Sequence, residues 1–406
     1  MSEWKKVKLK DCCIKIGSGS TPKGGSMVYV NSGTSLIRSQ NVYNLSFDYN
    51  GLTHITEDAA NKLKGVTVFN EDILLNITGD SVARTCIVPK EVLPARVNQH
   101  VAIIRTDRKK MNWRFLNYYL ASPKMQAHML SLAVGKGASR NALTKQMIEN
   151  FEVPYPPLST QHRIANILSR YDSLIENYQK QIKLLEEAAQ LLYKEWFVDL
   201  RFPGHENTNI IDGVPEGWEK KKVNSIIELQ SGFAFKSSTF DDNGAYKIVT
   251  IKNVKDGAFD GDNVSRIVAI PEKMPKHCVL ADGDILLSLT GNVGRVCIVN
   301  GKNYLLNQRV AKLATDFKAF TYCLFRSREM FIEINNLANG AAQQNVSPIR
   351  IGEMKILLPN NKLLQVFESI VFKSIVRIIS LQSQLRLLTE ARDRLLPKLM
   401  SGEITI

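Results

Sequence analysis

The chain has 406 residues, with 53 lysine and arginine against 39 aspartate and glutamate side chains and a formal charge of +14. Its hydrophobic share of 44% and charged share of 23% are typical of globular domains and exclude a largely disordered protein. No apolar run reaches the ~18 residues of a membrane helix, and the six cysteines form no CxxC pair of the kind found in zinc sites. We therefore expect two or three soluble domains in the reducing cytoplasm, with a polyanionic partner and no membrane contact.

Residues 1–157 predict a mixed α/β domain in which the basic excess is largest. Short apolar runs alternate with turn signals such as the glycine-rich stretch 17–25, and a helical pattern occupies Trp113 to Ala133. The run Asp72-Ile-Leu-Leu-Asn-Ile-Thr78-Gly79 predicts a buried strand and a turn, followed by Arg84, Cys86-Ile-Val and Asn98-Gln99-His100. We expect Cys86 in the core, and the amides either as turn residues or as ligand contacts.

Residues 158–199 predict one long helix after Pro156-Pro157, with Ser159 as a candidate N-cap. Its apolar positions alternate at spacings of four and three, which is the pattern of a coiled-coil seam. The positions are Ile164, Leu168, Tyr171, Ile175, Tyr178, Ile182, Leu185, Ala189, Leu192 and Trp196.

Residues 200–361 repeat the first block. Asp284-Ile-Leu-Leu-Ser-Leu-Thr290-Gly291 matches the earlier strand and turn, and Arg295, Cys297-Ile-Val and Asn307-Gln308-Arg309 follow in the same order. A second helical pattern occupies Phe317 to Leu337. A tandem duplication of one unit explains this agreement, so both blocks should share one fold.

Residues 362–406 predict a second long helix, with Asn361 as a candidate cap. Two duplicated halves usually relate by a pseudo-two-fold axis, which places their helices antiparallel and one globular block at each end of a rod ~48 Å long. Such a rod would act as a ruler that fixes the distance between the two blocks. The seam positions are Phe367, Val371, Ser374, Ile378, Leu381, Leu385, Leu388, Arg392, Leu395 and Leu399.

Catalytic motifs are missing from the sequence. It contains no GxxxxGK[ST] phosphate loop, no HExxH and no cluster of histidine and cysteine metal ligands. A carboxylate and lysine group around Asp212 and Glu219 is not repeated in the other half, so it is a weak nuclease candidate. We expect no catalytic residue, no metal and no bound cofactor.

The recurrent polar residues are of the types that read DNA, because arginine contacts guanine, asparagine and glutamine contact adenine, and hydroxyl groups contact phosphate. Positions that differ between the halves, such as His100 against Arg309, are the better candidates for sequence specificity. The DNA-binding candidates of the first block are Thr21, Lys23, Arg38, Gln40, Asn41, Thr78, Arg84, Gln99, His100, Lys136, Ser139 and Arg140. Those of the second block are Lys236, Lys252, Asn253, Thr290, Asn292, Arg295, Gln308, Arg309, Gln343 and Gln344.

Three motifs resemble the specificity subunits of type I restriction–modification enzymes. Val214-Pro-Glu-Gly-Trp218 resembles the start of a target-recognition domain, and the stretch from Leu192 to Gly204 resembles the end of the central conserved region. The stretch from Ala391 to Ile404 resembles the C-terminal signature, while Ser2-Glu3-Trp4 departs from the Pro-Glu-Gly-Trp form. The resemblance covers essentially the whole chain.

The resemblance implies two α/β target-recognition domains, 1–157 and 200–361, and two conserved helices, 158–199 and 362–406, in an antiparallel coiled coil. It implies a non-catalytic subunit that binds an asymmetric bipartite site in double-stranded DNA, one half-site per domain. Two modification subunits would methylate adenine with S-adenosylmethionine, and restriction subunits would use ATP and Mg²⁺. Tyr193, Trp196 and Phe197 are candidates for docking the modification subunits, with packing in the helical seam as the alternative for Trp196.

Two other functions stay open at this stage. The chain could be the recognition subunit of a restriction system in which one polypeptide carries both methyltransferase and nuclease. It could also be an autonomous DNA endonuclease, in which case the purified chain would cut DNA without partners.

Overall fold

The computed structural model describes residues 4–134, 141–262, 264–338 and 344–404. The chain forms two compact units, the first of residues 1–174 with 388–406 and the second of residues 175–387. A π-helical turn at Lys194–Val198 follows the first long helix. The α-helices are α1 (Leu9–Cys12), α2 (Glu57–Lys62), α3 (Trp113–Ala121), α4 (Pro123–Ala133), α5 (Lys145–Glu149), α6 (Leu158–Tyr193), α7 (Lys318–Arg326), α8 (Arg328–Ala338), α9 (Pro348–Gly352) and α10 (Asn361–Ser401).

The first unit contains two main sheets. The strands are β1 (Lys6–Lys8), β2 (Cys13–Ser18), β3 (Tyr29–Val30), β4 (Thr34–Ile37), β5 (Val42–Tyr43), β6 (Ser46–Phe47), β7 (Thr53–Ile55), β8 (Thr67–Val68), β9 (Ile73–Asn76), β10 (Thr85–Ile87), β11 (Ala95–Val97), β12 (Val101–Thr106) and β13 (Glu152–Pro154). An antiparallel sheet has the order β10-β9-β12-β2, and a five-stranded sheet has the order β3-β7-β4-β11-β8. Only the β4–β11 pair of the second sheet is parallel.

The second unit repeats this topology, except that its second sheet has four strands where that of the first unit has five. Its strands are β14 (Ile210–Ile211), β15 (Val214–Pro215), β16 (Glu219–Lys222), β17 (Glu228–Ser231), β18 (Tyr246–Val249), β19 (Ser265–Ile267), β20 (Val279–Leu280), β21 (Ile285–Ser288), β22 (Val296–Ile298), β23 (Tyr304–Leu306), β24 (Val310–Ala314) and β25 (Lys355–Leu358). The sheets have the orders β22-β21-β24-β17 and β19-β18-β23-β20, with β18 and β23 parallel. The duplication predicted from the sequence is therefore also a duplication of strand order.

The repeated apolar runs are strands buried on both faces. In β9, Ile73 and Leu75 pack in the core formed with the helices, whereas Leu74 packs in the core formed with the second sheet. Leu286 of β21 faces the second sheet in the same way. Because both faces are covered, the strand has no polar side and its sequence is continuously apolar. Cys86 and Cys297 are buried in these cores as predicted, and burial raises the pKa of the Cys86 thiol to about 12.

Each predicted helical stretch within the blocks is a pair of helices. Ser122 and Ser327 interrupt them, between α3 and α4 and between α7 and α8. Pro123 opens α4, because proline fits the first turn of a helix, where its missing N–H group costs no hydrogen bond. In the first unit, the Asn112 side chain caps α3 by accepting from the Phe115 amide at 3.0 Å.

The two long helices pair antiparallel within each unit. In the first unit, Ile164 and Leu168 of α6 share a core with Leu396 and Leu399 of α10, and Asp172 bonds Arg392. In the second unit, the Tyr193 ring lies 6.3 Å from the Phe367 ring, and Arg377 donates to Gln181 at 3.5 Å, so residue numbers fall along α6 as they rise along α10.

The predicted N-caps of the long helices are wrong by one residue or more. Asn360, and not Asn361, caps α10 by accepting from the Leu363 amide at 2.9 Å. Ser159 lies inside the first turn of α6, which begins at Leu158. Capping requires non-helical backbone just before the first turn, and an Asn or Ser one position inside that turn cannot supply it.

The α/β fold class with two repeated domains and long helices is confirmed. Among the described residues, no helix combines the length and apolarity needed to cross a bilayer. In the same part of the chain, no group of three or more histidine, cysteine, aspartate or glutamate side chains is arranged to hold a metal ion.

Candidate nucleic-acid interface

Several predicted DNA contacts of the first block meet in one open pocket. The pocket has a volume of about 530 Å³. It lies just after the end of β9 and just before the starts of β10 and β12. The segment that follows β4 lines its other side. It is lined by Ser39, Gln40, Tyr43, Thr78, Gly79, Asp80, Ser81, Arg84, His100, Asn141 and Ala142. Of these, Gln40, Thr78, Arg84 and His100 are contacts predicted from the sequence.

Thr78 and His100 form a hydrogen-bonded pair in this pocket. The Thr78 Oγ1 atom lies 2.6 Å from His100 Nδ1, and Gln99 Nε2 lies 3.3 Å from His100 Nε2. Asn98 accepts from the His100 amide through its Oδ1 atom at 3.1 Å. The Asn98 side chain is therefore a turn residue, while Gln99 is exposed and His100 half-buried.

Arg84 stacks on the ring of Tyr43, which is not among the residues predicted from the sequence. Its guanidinium carbon lies 4.5 Å from the centre of the Tyr43 ring, and 41% of Tyr43 is exposed. Aligning the two repeats could have identified Tyr43. It stands two residues after Asn41, as Lys255 stands two residues after Asn253, so the two positions match and carry different side chains.

The Arg38 and Gln40 side chains both donate hydrogen bonds to the carbonyl of Gly51. The Arg38 guanidinium donates to the Gly51 carbonyl at 2.8 Å, and the Gln40 amide donates to the same oxygen at 3.3 Å. Gln40 is exposed and Arg38 half-buried. Both side chains lie at the surface that carries the pocket.

Asn41 and Asn253 hold loops and do not reach the surface. Asn41 is fully buried, accepts from the Arg38 amide at 3.0 Å and donates to the Asp48 carbonyl at 2.9 Å. Asn253 repeats this pattern with the Thr250 amide and the Asp260 carbonyl, both at 2.8 Å. Since both side chains are enclosed, neither can offer its amide to a base. The prediction that they contact DNA is corrected.

The second block presents its candidates on the same framework. Thr290 donates to Asn345 Oδ1 at 3.0 Å, and Asn307 accepts from the Arg309 amide at 3.2 Å, as Asn98 does for His100. Thr290 is nearly buried, so its hydroxyl serves the loop. The exposed candidates are Lys252, Asn292, Gln308, Arg309 and Gln344, and Arg295 is half-buried.

The loops after β2 and β17 carry equivalent lysines. A side chain at Gly19 would meet the Asn98 carbonyl oxygen at 2.3 Å, and one at Gly232 would meet the Asn307 carbonyl oxygen at 2.2 Å. Each loop therefore approaches the neighbouring backbone at a position where only glycine fits. Four residues later, Lys23 and Lys236 are exposed, as is Thr21. Both lysines are available to phosphates.

Four predicted contacts lie outside the described residues. They are Lys136, Ser139 and Arg140 of the first block and Gln343 of the second.

Tyr193, Trp196 and Phe197 form part of the core of the second unit and are between 6% and 8% exposed. The Phe197 ring lies 4.9 Å from the Phe367 ring and 5.1 Å from the Phe320 ring. Burial raises the pKa of the Tyr193 hydroxyl well above its ordinary value. A partner cannot reach these rings without opening the core. Their prediction as docking residues is corrected, and packing is the role that the structure supports.

The comparisons with known proteins agree with this arrangement. A family model described as the type I restriction modification DNA specificity domain matches residues 1–187 and again residues 215–386. This chain belongs to that family. As a specificity subunit of a type I restriction–modification system it recognises DNA and is not itself the catalyst, and its family implies modification and restriction subunits as partners.

Named relatives are specificity subunits along their full length. The MjaIX specificity subunit of Methanocaldococcus jannaschii is 27% identical over 420 residues, covering 100% of this chain and 94% of the relative. The HindI specificity subunit of Haemophilus influenzae is 20% identical over 472 residues, covering 100% of both chains. The crystal structure of an S subunit from M. genitalium aligns with a TM-score of 0.63 at 17% identity, covering 98% of this chain and 96% of that one. The fold of this specificity subunit is thus shared with a solved structure.

Proposed function

We propose that this specificity subunit binds an asymmetric bipartite site in double-stranded DNA, with one half-site per recognition domain. One observation carries the proposal: the buried framework is the same in both domains, whereas several surface residues at matching positions differ. Gln40 is matched by Lys252, and His100 by Arg309. Two domains built to read the same bases would keep these side chains alike.

The paired helices set the spacer between the half-sites in this proposal. Every predicted seam position of the two long helical segments is buried or half-buried, which supports pairing of the two helices within each unit. In each unit taken alone the two helices run antiparallel, as expected of duplicated halves related by a pseudo-two-fold axis.

In this proposal, partner subunits carry out DNA methylation and restriction. Two copies of the modification subunit would each serve one half-site with S-adenosylmethionine, and restriction subunits would use ATP and Mg²⁺. This chain would bind none of these cofactors. Because the specificity subunit would bind both the DNA of the cell and incoming DNA, it would work in the cytoplasm.

The docking surface for the modification subunit is better placed on exposed apolar stripes of the second unit. Leu184 and Leu191 of α6 stand seven residues apart and are 54% and 61% exposed. On α10, Val366, Ile370, Phe372 and Val376 are between 39% and 49% exposed. Exposed apolar surface that follows helical spacing is typical of protein interfaces.

A Leu191→Glu variant should test this surface. We expect it to lose co-purification with the modification subunit, because a carboxylate would be buried in the interface. Gln179→Glu is the matched control, since it adds the same charge at an exposed position of α6 outside the stripe. If both variants bind the modification subunit equally, the stripe is not the docking surface.

The bipartite site is tested with the full chain and its modification partner. Methylation-sensitive sequencing of genomic DNA from cells that express both should show one motif with two different specified parts and an unspecified spacer. Binding of the purified complex to this motif should weaken steeply with rising salt, because bound lysines and arginines release counterions from DNA. A single uninterrupted motif, or affinity that salt does not change, would contradict the proposal.

A further inference from the structure

The stacked pair of Tyr43 and Arg84 is the most unusual feature of the first recognition surface. Among the described residues no hydrogen-bond acceptor contacts the Arg84 guanidinium, while its central carbon lies over the Tyr43 ring, 4.5 Å from the ring centre. A guanidinium that stacks on a ring keeps its N–H donors free at the edge. The pair therefore presents an oriented fork of donors at the mouth of the pocket.

The backbone on both sides of this pair is fixed by hydrogen bonds. Asn76 donates through Nδ2 to the Ser39 carbonyl at 2.8 Å, which joins the segment before Tyr43 to β9. The Asn76 amide donates to the Arg84 carbonyl at 2.8 Å, and the Leu45 amide donates to the Thr85 carbonyl at 2.9 Å. The two residues thus stand on adjacent, mutually bonded segments, which is how a preorganised recognition site is built.

The chemistry around the fork suits a base edge better than a phosphate. Asp80 is exposed and lines the same pocket as Arg84, and a carboxylate at that place would repel a phosphate. Beside it, Thr78 and His100 supply a hydroxyl and a ring nitrogen. In the major groove, guanine offers the O6 and N7 acceptors that an arginine fork contacts with two hydrogen bonds.

We propose that Arg84 reads a guanine in the half-site of the first recognition domain, and that Tyr43 is the positioning residue that orients its guanidinium. The inference rests on the proposed bipartite function and names the base that one of its side chains reads. The second domain has Arg295 at the matching place, but Lys255 replaces the tyrosine and pairs with Asp260 at 3.9 Å. The stacked fork therefore belongs to the first half-site.

The test uses the complex of the full chain with its modification partner, after the methylated motif has been read from genomic DNA. Competition binding is measured with duplexes in which each specified base pair is replaced in turn. For Arg84→Ala we expect discrimination at one guanine of one half-site to fall by about 5- to 150-fold. Discrimination at the other half-site should stay unchanged.

Variants at Tyr43 separate positioning from contact. Tyr43→Leu should lower discrimination at the same guanine by about two- to fivefold, because only the orienting stack is lost. Tyr43→Phe keeps the ring and should restore wild-type discrimination. Arg295→Ala is the matched variant of the second domain and should leave the first half-site unchanged.

The outcomes separate this inference from the function on which it rests. If the wild-type complex shows no two-part motif, the proposed function fails. If it does show one, but Arg84→Ala weakens binding to all duplexes equally or relaxes a position other than guanine, the assignment of Arg84 is overturned. Unchanged discrimination in Arg84→Ala overturns it as well, and binding of the intact second half-site shows that the variant is folded.

Discussion

Residues repeated between the two domains are mostly structural, whereas the residues beside them are free to differ. Asn41 and Asn253 are fully buried and close equivalent loops. Next to them stand the exposed Gln40 and Lys252. A buried amide with all its partners specified tolerates little change, while an exposed neighbour can change with the DNA sequence that is read.

Asn41→Ala should therefore lower stability without changing base preference. The substitution leaves the Arg38 amide and the Asp48 carbonyl without their partner, which costs about 1–3 kcal/mol. We expect a lower urea midpoint and an affinity loss that is the same for every duplex tested. Gln40→Ala is the surface control and should leave the urea midpoint unchanged. If the Asn41→Ala variant changed its preference at one base pair, Asn41 would contact that base and the structural assignment would be wrong.

At the scale of helices, each recognition domain has a tyrosine at an equivalent position that donates a hydrogen bond to a carboxylate of α6. We call this tyrosine, the carboxylate and the arginine beside them an anchor. Tyr118 of α3 donates its hydroxyl to Asp172, which also bonds Arg392 at 2.9 Å. Tyr322 of α7 donates to Glu186 at 2.7 Å, and Arg326 lies 3.6 Å from the same carboxylate. The tyrosine is common to both anchors, but the arginine comes from α10 in one and from α7 in the other.

The anchor of the second unit should make stability depend on pH. Burial raises the pKa of Glu186, and the hydrogen bond from Tyr322 and the charge of Arg326 oppose the rise. Since the folded-state pKa lies above the unfolded value, this group stabilises the fold at low pH. The stabilisation is lost as pH rises through the folded-state pKa.

Arg326→Met should make the stability depend more strongly on pH, because it leaves the buried Glu186 carboxylate without its cation. We expect a loss of about 3–5 kcal/mol at neutral pH and a much smaller loss in acid, where Glu186 is protonated. Urea denaturation at several pH values measures both. Adding Glu186→Gln to Arg326→Met should remove the difference between acid and neutral pH. If the loss is the same at every pH, Glu186 does not carry the effect.

At the scale of the whole molecule, the proposed ruler requires both long helices to keep their heptad pattern. Seven extra residues after Gln179 in α6 and seven after Leu381 in α10 preserve that pattern and add about 10 Å. We expect the methylated motif to gain about three base pairs of spacer, given a rise of about 3.4 Å per base pair.

Two further insertions serve as controls for the ruler. Five extra residues at both sites break the heptad pattern and should abolish methylation, because the apolar seams no longer face each other. Insertion into α6 alone leaves α10 too short to pair and should also fail. An unchanged spacer in the seven-residue variant would contradict the ruler.

The sequence alone determined the duplication, the α/β class of both domains, the two long helices and the burial of Cys86 and Cys297. These features depend on local periodicity and on apolar runs, which are visible along the chain. The motifs from Leu192 to Gly204 and from Ala391 to Ile404 also identified the family, which the matches confirm.

Only the tertiary structure decided which polar and aromatic residues face solvent. Asn41 and Gln40 are neighbours of similar type, yet one is enclosed by backbone groups of its own loop and the other is exposed. The aromatic residues Trp196 and Phe197 end in a core because α7 and α10 cover them. Tyr43 gains its role from Arg84, which lies 41 residues further along the chain, just before β10. Burial and pairing of this kind depend on contacts between segments far apart in the chain, and a linear pattern does not contain that information.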